Sequence, residues 1–204
     1  MLQGTALMCT RLFPEVEIMC APRRAYSRLS AEPHAVSVLD ACYRPAIVGV
    51  TIGTAASISS TSHVSIGLVA SVTACWMFLV AIQVAAAWVT MPSASQRALG
   101  TARAMDLLFS GHAPWSLWLL GAAVWALALP ISARDTRWLF ASMIVPLVWN
   151  ATIVFAFFRS ALQLPRDAAV RRTIAHQVIS VGSGLAIFGA AVAIWPRIVG
   201  AFAR

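Results

Sequence analysis

Four long stretches almost empty of charge dominate the chain: His63–Val89, Trp115–Ile131, Trp138–Phe158 and Val178–Ile198. Each approaches the ~20 residues that an α-helix needs to cross ~30 Å of hydrocarbon. Proline punctuates them without breaking the pattern. Pro114 sits at an entry, Pro130 near an exit, and Pro146 inside the third stretch, where a spanning helix tolerates a kink. Trp88, Trp115, Trp118, Trp138 and Trp195 lie near the ends of these stretches, where aromatic belts meet the headgroups. A fifth stretch, Pro45–Thr61, is apolar from Ala46 to Ile58 but diluted by serine and threonine. The pattern predicts an all-α, polytopic transmembrane helix bundle. Residues 1–44 form a leader, 45–199 the helical domain with spans at about 45–61, 63–89, 115–131, 138–158 and 178–198, and 200–204 a short tail.

Composition agrees with a bilayer as solvent. The chain is 60% hydrophobic and 11% charged, against about 25% charged in an ordinary soluble domain. The net charge of +8 does not point to nucleic acid, because the arginines lie in short stretches between apolar runs rather than clustered with stacking aromatics. Their distribution decides the doubtful fifth stretch. With five spans and the N-terminus in the cytoplasm, eleven arginines are inside (Arg11, Arg23, Arg24, Arg28, Arg44, Arg97, Arg103, Arg159, Arg166, Arg171, Arg172) and four outside (Arg134, Arg137, Arg197, Arg204). With four spans the division is nine against six. The five-span arrangement obeys the positive-inside bias better; four spans is the alternative. All basic residues are arginine, none lysine, and with abundant alanine this reads as a GC-rich bacterial genome and an inner-membrane location.

The leader opens Met-Leu-Gln-Gly without a basic n-region and is not read as a signal peptide. Phe13, Val16, Met19, Tyr26 and Leu29 interleave with Arg23, Arg24 and Arg28. That mixture suits a segment lying in the headgroup layer; a disordered basic leader is the other reading. The linker after the second span places Leu99, Arg103 and Asp106 on one side of a short surface helix. Ser110-Gly111-His112-Ala113-Pro114 then turns into the third span. Gly49 and Gly53 form a GxxxG motif, Gly182, Ala186 and Ala190 a second small stripe, and Gly67, Ser71 and Cys75 a third; all are read as helix-packing faces within one bundle.

Cys9, Cys20, Cys42 and Cys75 lack metal-ligand or disulfide spacing, and Cys75 reads as a small packing residue. No HExxH, phosphate loop or GxSxG elbow is present, so no catalytic, cofactor-binding or metal-binding residue is predicted. The strongest polar groups inside spans are Gln83 and Asn150, expected to bond across helices. His112, beside a helix breaker at a membrane entry, is the first candidate for a functional side chain; as a plain structural group it caps the turn among headgroups. His63 belongs to the turn of the first hairpin and is, with His112, a further candidate for a polar path; His176 is placed at the interface. Arg166, Arg171 and Arg172 are expected to face anionic lipid headgroups.

The layout resembles the Yip family of small membrane proteins, in its divergent bacterial form. The matching features are the leader Pro22-Arg23-Arg24-Ala25-Tyr26-Ser27-Arg28-Leu29, five closely spaced spans, and the linker Gln96–Gly111. The likeness covers residues 22–199, and the aspartate- and glycine-containing motifs of eukaryotic members are absent. It implies an inner-membrane bundle with no catalytic residues to carry over. The expected function is therefore non-enzymatic: a membrane protein that organises or assists partners, another membrane protein or a second copy of itself. The competing expectation is a small transporter, channel or carrier subunit with a polar path near Gln83 and Asn150.

Overall fold

The computed structural model describes residues 14–32, 35–93, 95 and 99–202. Cys9, Arg11, Phe13, Arg97 and Arg204 lie outside the described residues. Among those described there is no strand. The helices are α1 (Pro14–Cys20), α2 (Pro22–Ala31), α3 (Val38–Thr61), α4 (Ile66–Thr90), α5 (Thr101–Phe109), α6 (Ala113–Ala128), α7 (Thr136–Ser142), α8 (Ile144–Ala156), α9 (Arg166–Gln177) and α10 (Ser183–Phe202). Short pieces splice several of these into longer rods. A 3-10 turn at Ser110–His112 joins α5 to α6, and π turns at Phe157–Ala161 and Val178–Gly182 extend α8 and join α9 to α10. Four stretches are long and apolar enough to cross a membrane: Ile66–Thr90, Thr101–Ala128, Arg137–Ala161 and Arg166–Ala191. Large apolar side chains such as Ile66, Trp138, Phe140 and Val124 are exposed along them.

Each predicted stretch is a helix, with shifted ends. The first begins before Pro45, because Ser37 caps it: its Oγ accepts from the Asp40 N–H at 3.1 Å while Asp40 Oδ2 accepts from the Ser37 N–H at 3.3 Å. Pro45 is carried inside α3. At ~1.5 Å per residue, the 24 residues of α3 extend about 36 Å. The chain reverses at Ser62, whose φ of 60° ends the helix in the left-handed region, and α4 returns alongside. Pro146 acts upstream of itself. It cannot donate to the carbonyl four residues back, and the rod is interrupted at Met143 between α7 and α8.

The glycines of α3 explain the tight hairpin. A Cβ on Gly53 would lie 2.0 Å from Thr73 Oγ1 and 2.6 Å from Thr73 Cα, and one on Gly49 would lie 2.5 Å from Met77 Sδ. Only a hydrogen fits between the two backbones. The other two stripes differ from expectation. Gly182, Ala186 and Ala190 are exposed, and a Cβ on Gly182 would meet nothing nearer than Val178 of its own rod, at 4.0 Å. Gly67, Ser71 and Cys75 are exposed as well, so Cys75 is not a core residue. The small face of α10 is uncovered because residues 185–191 are exposed on every side.

The largest core is not midway along the spans. It gathers Ile18, Tyr26 and Leu29 of the leader with Met91, Met105, Leu108, Ile153, Phe157 and Phe158. Two smaller clusters, Val48, Ile52, Val80 and Phe109, then Ala55, Ile58 and Ala123, continue along α3 to the far end. Over Pro14–Ala31 the leader is neither disordered nor spread on a surface: α1 and α2 pack on the bundle through buried residues. The linker is corrected too. Thr101–Phe109 is no separate surface helix but the first two turns of the central rod, with Leu107 and Leu108 2% exposed.

Replacing Gly53 by leucine is expected to lower unfolding stability in detergent by about 1–3 kcal/mol or more, since the added atoms meet backbone. The same replacement at Gly182 is expected to leave the transition within about 0.5 kcal/mol. Paired SDS-titration curves followed by circular dichroism give the comparison; equal curves would contradict the hairpin geometry.

Candidate functional site

Two polar assemblies occupy the end of the bundle that carries the leader. The first is ionic. Asp106 accepts from Arg44 Nε at 2.6 Å and from Arg103 Nη1 at 3.1 Å, and Arg44 also pairs with Glu15 of α1. Arg103 donates in addition to the Leu29 carbonyl at 3.0 Å, capping the C-terminus of α2. One carboxylate, 13% exposed, thereby links α3 and the central rod to both leader helices. Within the leader, Arg28 bonds Glu17 and Glu32, each at 2.5 Å. The hydrogen bond to Glu17, with the fields of both carboxylates, pushes the Arg28 guanidinium further toward its charged form. Tyr26 is fully buried, edge-on to Phe157 at 5.6 Å, and burial pushes its phenol upward. Gly111 makes room for it: a Cβ there would lie 2.8 Å from the Tyr26 oxygen.

The second assembly is uncharged and lies deeper. Asn150, 5% exposed, donates through Nδ2 to the Gly111 carbonyl at 3.4 Å and accepts from Gln177 Nε2 at 3.1 Å. It so ties α8 to the 3-10 turn and to α9. On that turn, His112 is 5% exposed and stacks on Phe109 with ring centroids 4.8 Å apart. His176, one residue before Gln177, is 3% exposed and likewise interior. Buried atoms without a hydrogen-bond partner among the described residues include His112 Nδ1, His176 Nδ1 and Gln83 Oε1. The π turn Val178–Gly182 begins directly after this cluster, and π turns in transmembrane-length helices often mark functional positions.

Sequence-predicted residues are redistributed by this geometry. Asn150 bonds across helices as expected. Gln83 points into the same region but pairs with nothing through its oxygen. His112 does not cap a turn among headgroups; it is interior, because Thr101–Ala128 is one continuous rod. His176 is buried rather than outward-facing. The Ser110 hydroxyl donates to the Leu107 carbonyl at 2.6 Å. Arg166 and Arg171 are exposed, whereas Arg172 reaches inward to cap the Thr90 carbonyl at the end of α4. At the far end, Arg134 donates to the Ser59 carbonyl at 2.9 Å and the Leu129 carbonyl at 3.1 Å, capping α3 and α6 together. No group of His, Cys, Asp or Glu suited to a metal is formed among the described residues.

No family model, curated protein or solved structure matches the chain.

Asp106→Asn leaves Arg44 and Arg103 facing each other without a full counter-charge. A loss of about 3–5 kcal/mol is expected when one partner of a buried pair is removed. The leader should loosen first, so trypsin cleavage at Arg23, Arg24 and Arg28 is expected to accelerate before the rest of the bundle is attacked. Asn150→Leu and Gln177→Leu, made singly and together, are expected to show a coupling of about 1 kcal/mol, the order of one interhelical hydrogen bond in a membrane protein.

Proposed function

We propose that the chain is a non-enzymatic, multi-pass inner-membrane protein that organises or assists other membrane proteins, with the leader end of the bundle in the cytoplasm. One observation carries the reading: the small-residue faces of α4 and α10 are left uncovered by the chain's own helices. Faces of this kind let another helix approach closely in lipid. Some interior polar groups, meanwhile, are spent on joining helices, as Asn150 and Arg172 are. A Yip-like role, a bundle without its own chemistry, is consistent with this arrangement.

The hairpin supports the five-span arrangement. Val38–Thr61 is too diluted by serine and threonine to qualify as a span by apolarity, yet it lies antiparallel against α4 through Gly49 and Gly53 and matches it in length. A helix so paired shares the depth of its partner. Its polar dilution is tolerable because Ser57 and Thr61 are turned inward or bonded to the helix itself.

A second reading, a small transporter or channel subunit, is favoured by the unpaired buried atoms of His112, His176 and Gln83. Such groups are available to a passing proton or polar solute.

Topology is tested first. In a cysteine-free background, His63→Cys and Asp135→Cys are expected to react with an impermeant maleimide on intact cells, while Gln163→Cys and Asp167→Cys react only after permeabilisation. Reaction of position 63 together with 163 would remove the first span. Function is tested by photo-crosslinking: a probe at Ala186 is expected to give a discrete adduct in membranes, and one at Leu120 to give none. Solute or proton flux in proteoliposomes that disappears on Gln83→Leu would replace this reading with the second.

A further inference from the structure

Three open grooves meet at the leader end, and Arg23 lines each of them. The first, of about 700 Å³, runs between Ala21–Arg24 and the face of α8 formed by Val148, Ala151 and Phe155; its walls are almost wholly apolar. The second, of about 610 Å³, is lined by Arg23, Phe155, Arg159, Arg166 and Val170. The third, of about 870 Å³, is polar, with Ser27, Ser30, Ser160 and Gln163 beside Arg23 and Arg159. An apolar trough and a polar one thus adjoin a cluster of three arginines.

Two of the arginines are held in place, and none of the three is neutralised. The Arg23 guanidinium lies over the Phe155 ring, 5.6 Å from its centroid, a contact that fixes position without cancelling charge. Arg159 donates one N–H to the Leu164 carbonyl at 2.8 Å. Among the described residues, Arg23, Arg159 and Arg166 form no ion pair, although Arg28, Arg44 and Arg103 nearby all do. Glu15, Glu17, Glu32 and Asp106 are engaged elsewhere in those pairs, and Asp167 in the first turn of α9 pairs with none of the three. Uncompensated guanidinium groups in a fixed array are suited to a phosphate, which their forked donors match.

We propose that this junction is a binding site for an anionic phospholipid, with the phosphate held among Arg23, Arg159 and Arg166, an acyl chain along Val148–Phe155, and the headgroup toward Ser27 and Ser160. The inference rests on the reading of the chain as membrane-embedded. Free phosphate shares the charge but would leave the apolar trough unused. The occupant that fills both troughs is an amphiphile whose charge lies at the junction. It would bridge α2, α8 and the segment leading into α9, so that lipid binding also fastens the leader.

The test uses the full chain, purified in neutral detergent, delipidated, and offered phosphatidylglycerol, phosphatidylcholine or inorganic phosphate, with bound lipid counted by native mass spectrometry. Phosphatidylglycerol is expected to be retained over phosphatidylcholine. Arg23→Gln combined with Arg159→Gln is expected to weaken retention about tenfold or more. Arg137→Gln, exposed at the opposite end of the bundle, is expected to change it less than twofold. Ala151→Trp, which fills the apolar trough, should reduce lipid retention while leaving the arginines in place. Retention unchanged in the Arg23/Arg159 variant overturns the site. Inorganic phosphate displacing the lipid at equal concentration overturns the lipid assignment in favour of a simple anion. Circular dichroism of each variant separates loss of binding from loss of fold. The two readings fail separately: detergent-free recovery of a monodisperse protein removes the membrane reading, whereas a detergent-dependent protein with no lipid preference removes only this site.

Discussion

The fold turns on a single carboxylate. Asp106 lies on the central rod where two guanidinium groups converge, one from α3 and one from its own helix, and Arg44 passes the connection on to Glu15 in the leader. Charges so placed are costly unless each is answered, and in this register of α1, α3 and α5 all four groups are answered together. Hydrophobic contacts from Ile18, Tyr26 and Leu29 supply much of the attraction, but apolar packing alone tolerates sliding. The ionic network supplies the registration, and Arg103, by closing the end of α2 on Leu29, sets the leader's orientation.

Arginine recurs in this second capacity throughout the chain. Arg103, Arg134 and Arg172 each deliver N–H donors to carbonyls that end a helix, where the backbone leaves acceptors open and the macrodipole is negative. The residue type that biases topology by its charge also closes the rods by its geometry. Arg134, on the sparsely charged end, is accounted for in this way. It joins the ends of α3 and α6, and so holds the hairpin against the central rod at the pole opposite the leader.

How much of this was legible in the sequence depends on the range of the interactions. The rods were legible because apolarity over a span is a property of neighbouring residues. Gly49 and Gly53 were legible as a close-packing pair for the same reason. The leader was not. Its charged and apolar residues alternate as a surface segment's would, and its partners lie 29 to 74 residues away in Arg44 and Arg103. Pattern cannot choose among distant partners. His176 was missed because it precedes a polar-to-apolar transition that resembles an interface, whereas α9 and α10 form one rod and the transition falls inside it. The exposure of Gly182 and Ala186 escaped because a helical wheel finds a small stripe but not whether a neighbouring helix covers it.

An α-helix advances about 100° per residue, so a rod interrupted by a wide turn carries two faces whose phases no longer agree. In α9 the inward face is fixed by Thr173 and His176; past Val178–Gly182, α10 meets α4 again where Gly184 lies against Leu79 and Phe188 against Trp76. Length at this point is therefore converted into rotation: a one-residue deletion would turn Gly184 and Phe188 away from α4 by about 100° while Thr173 and His176 kept their places.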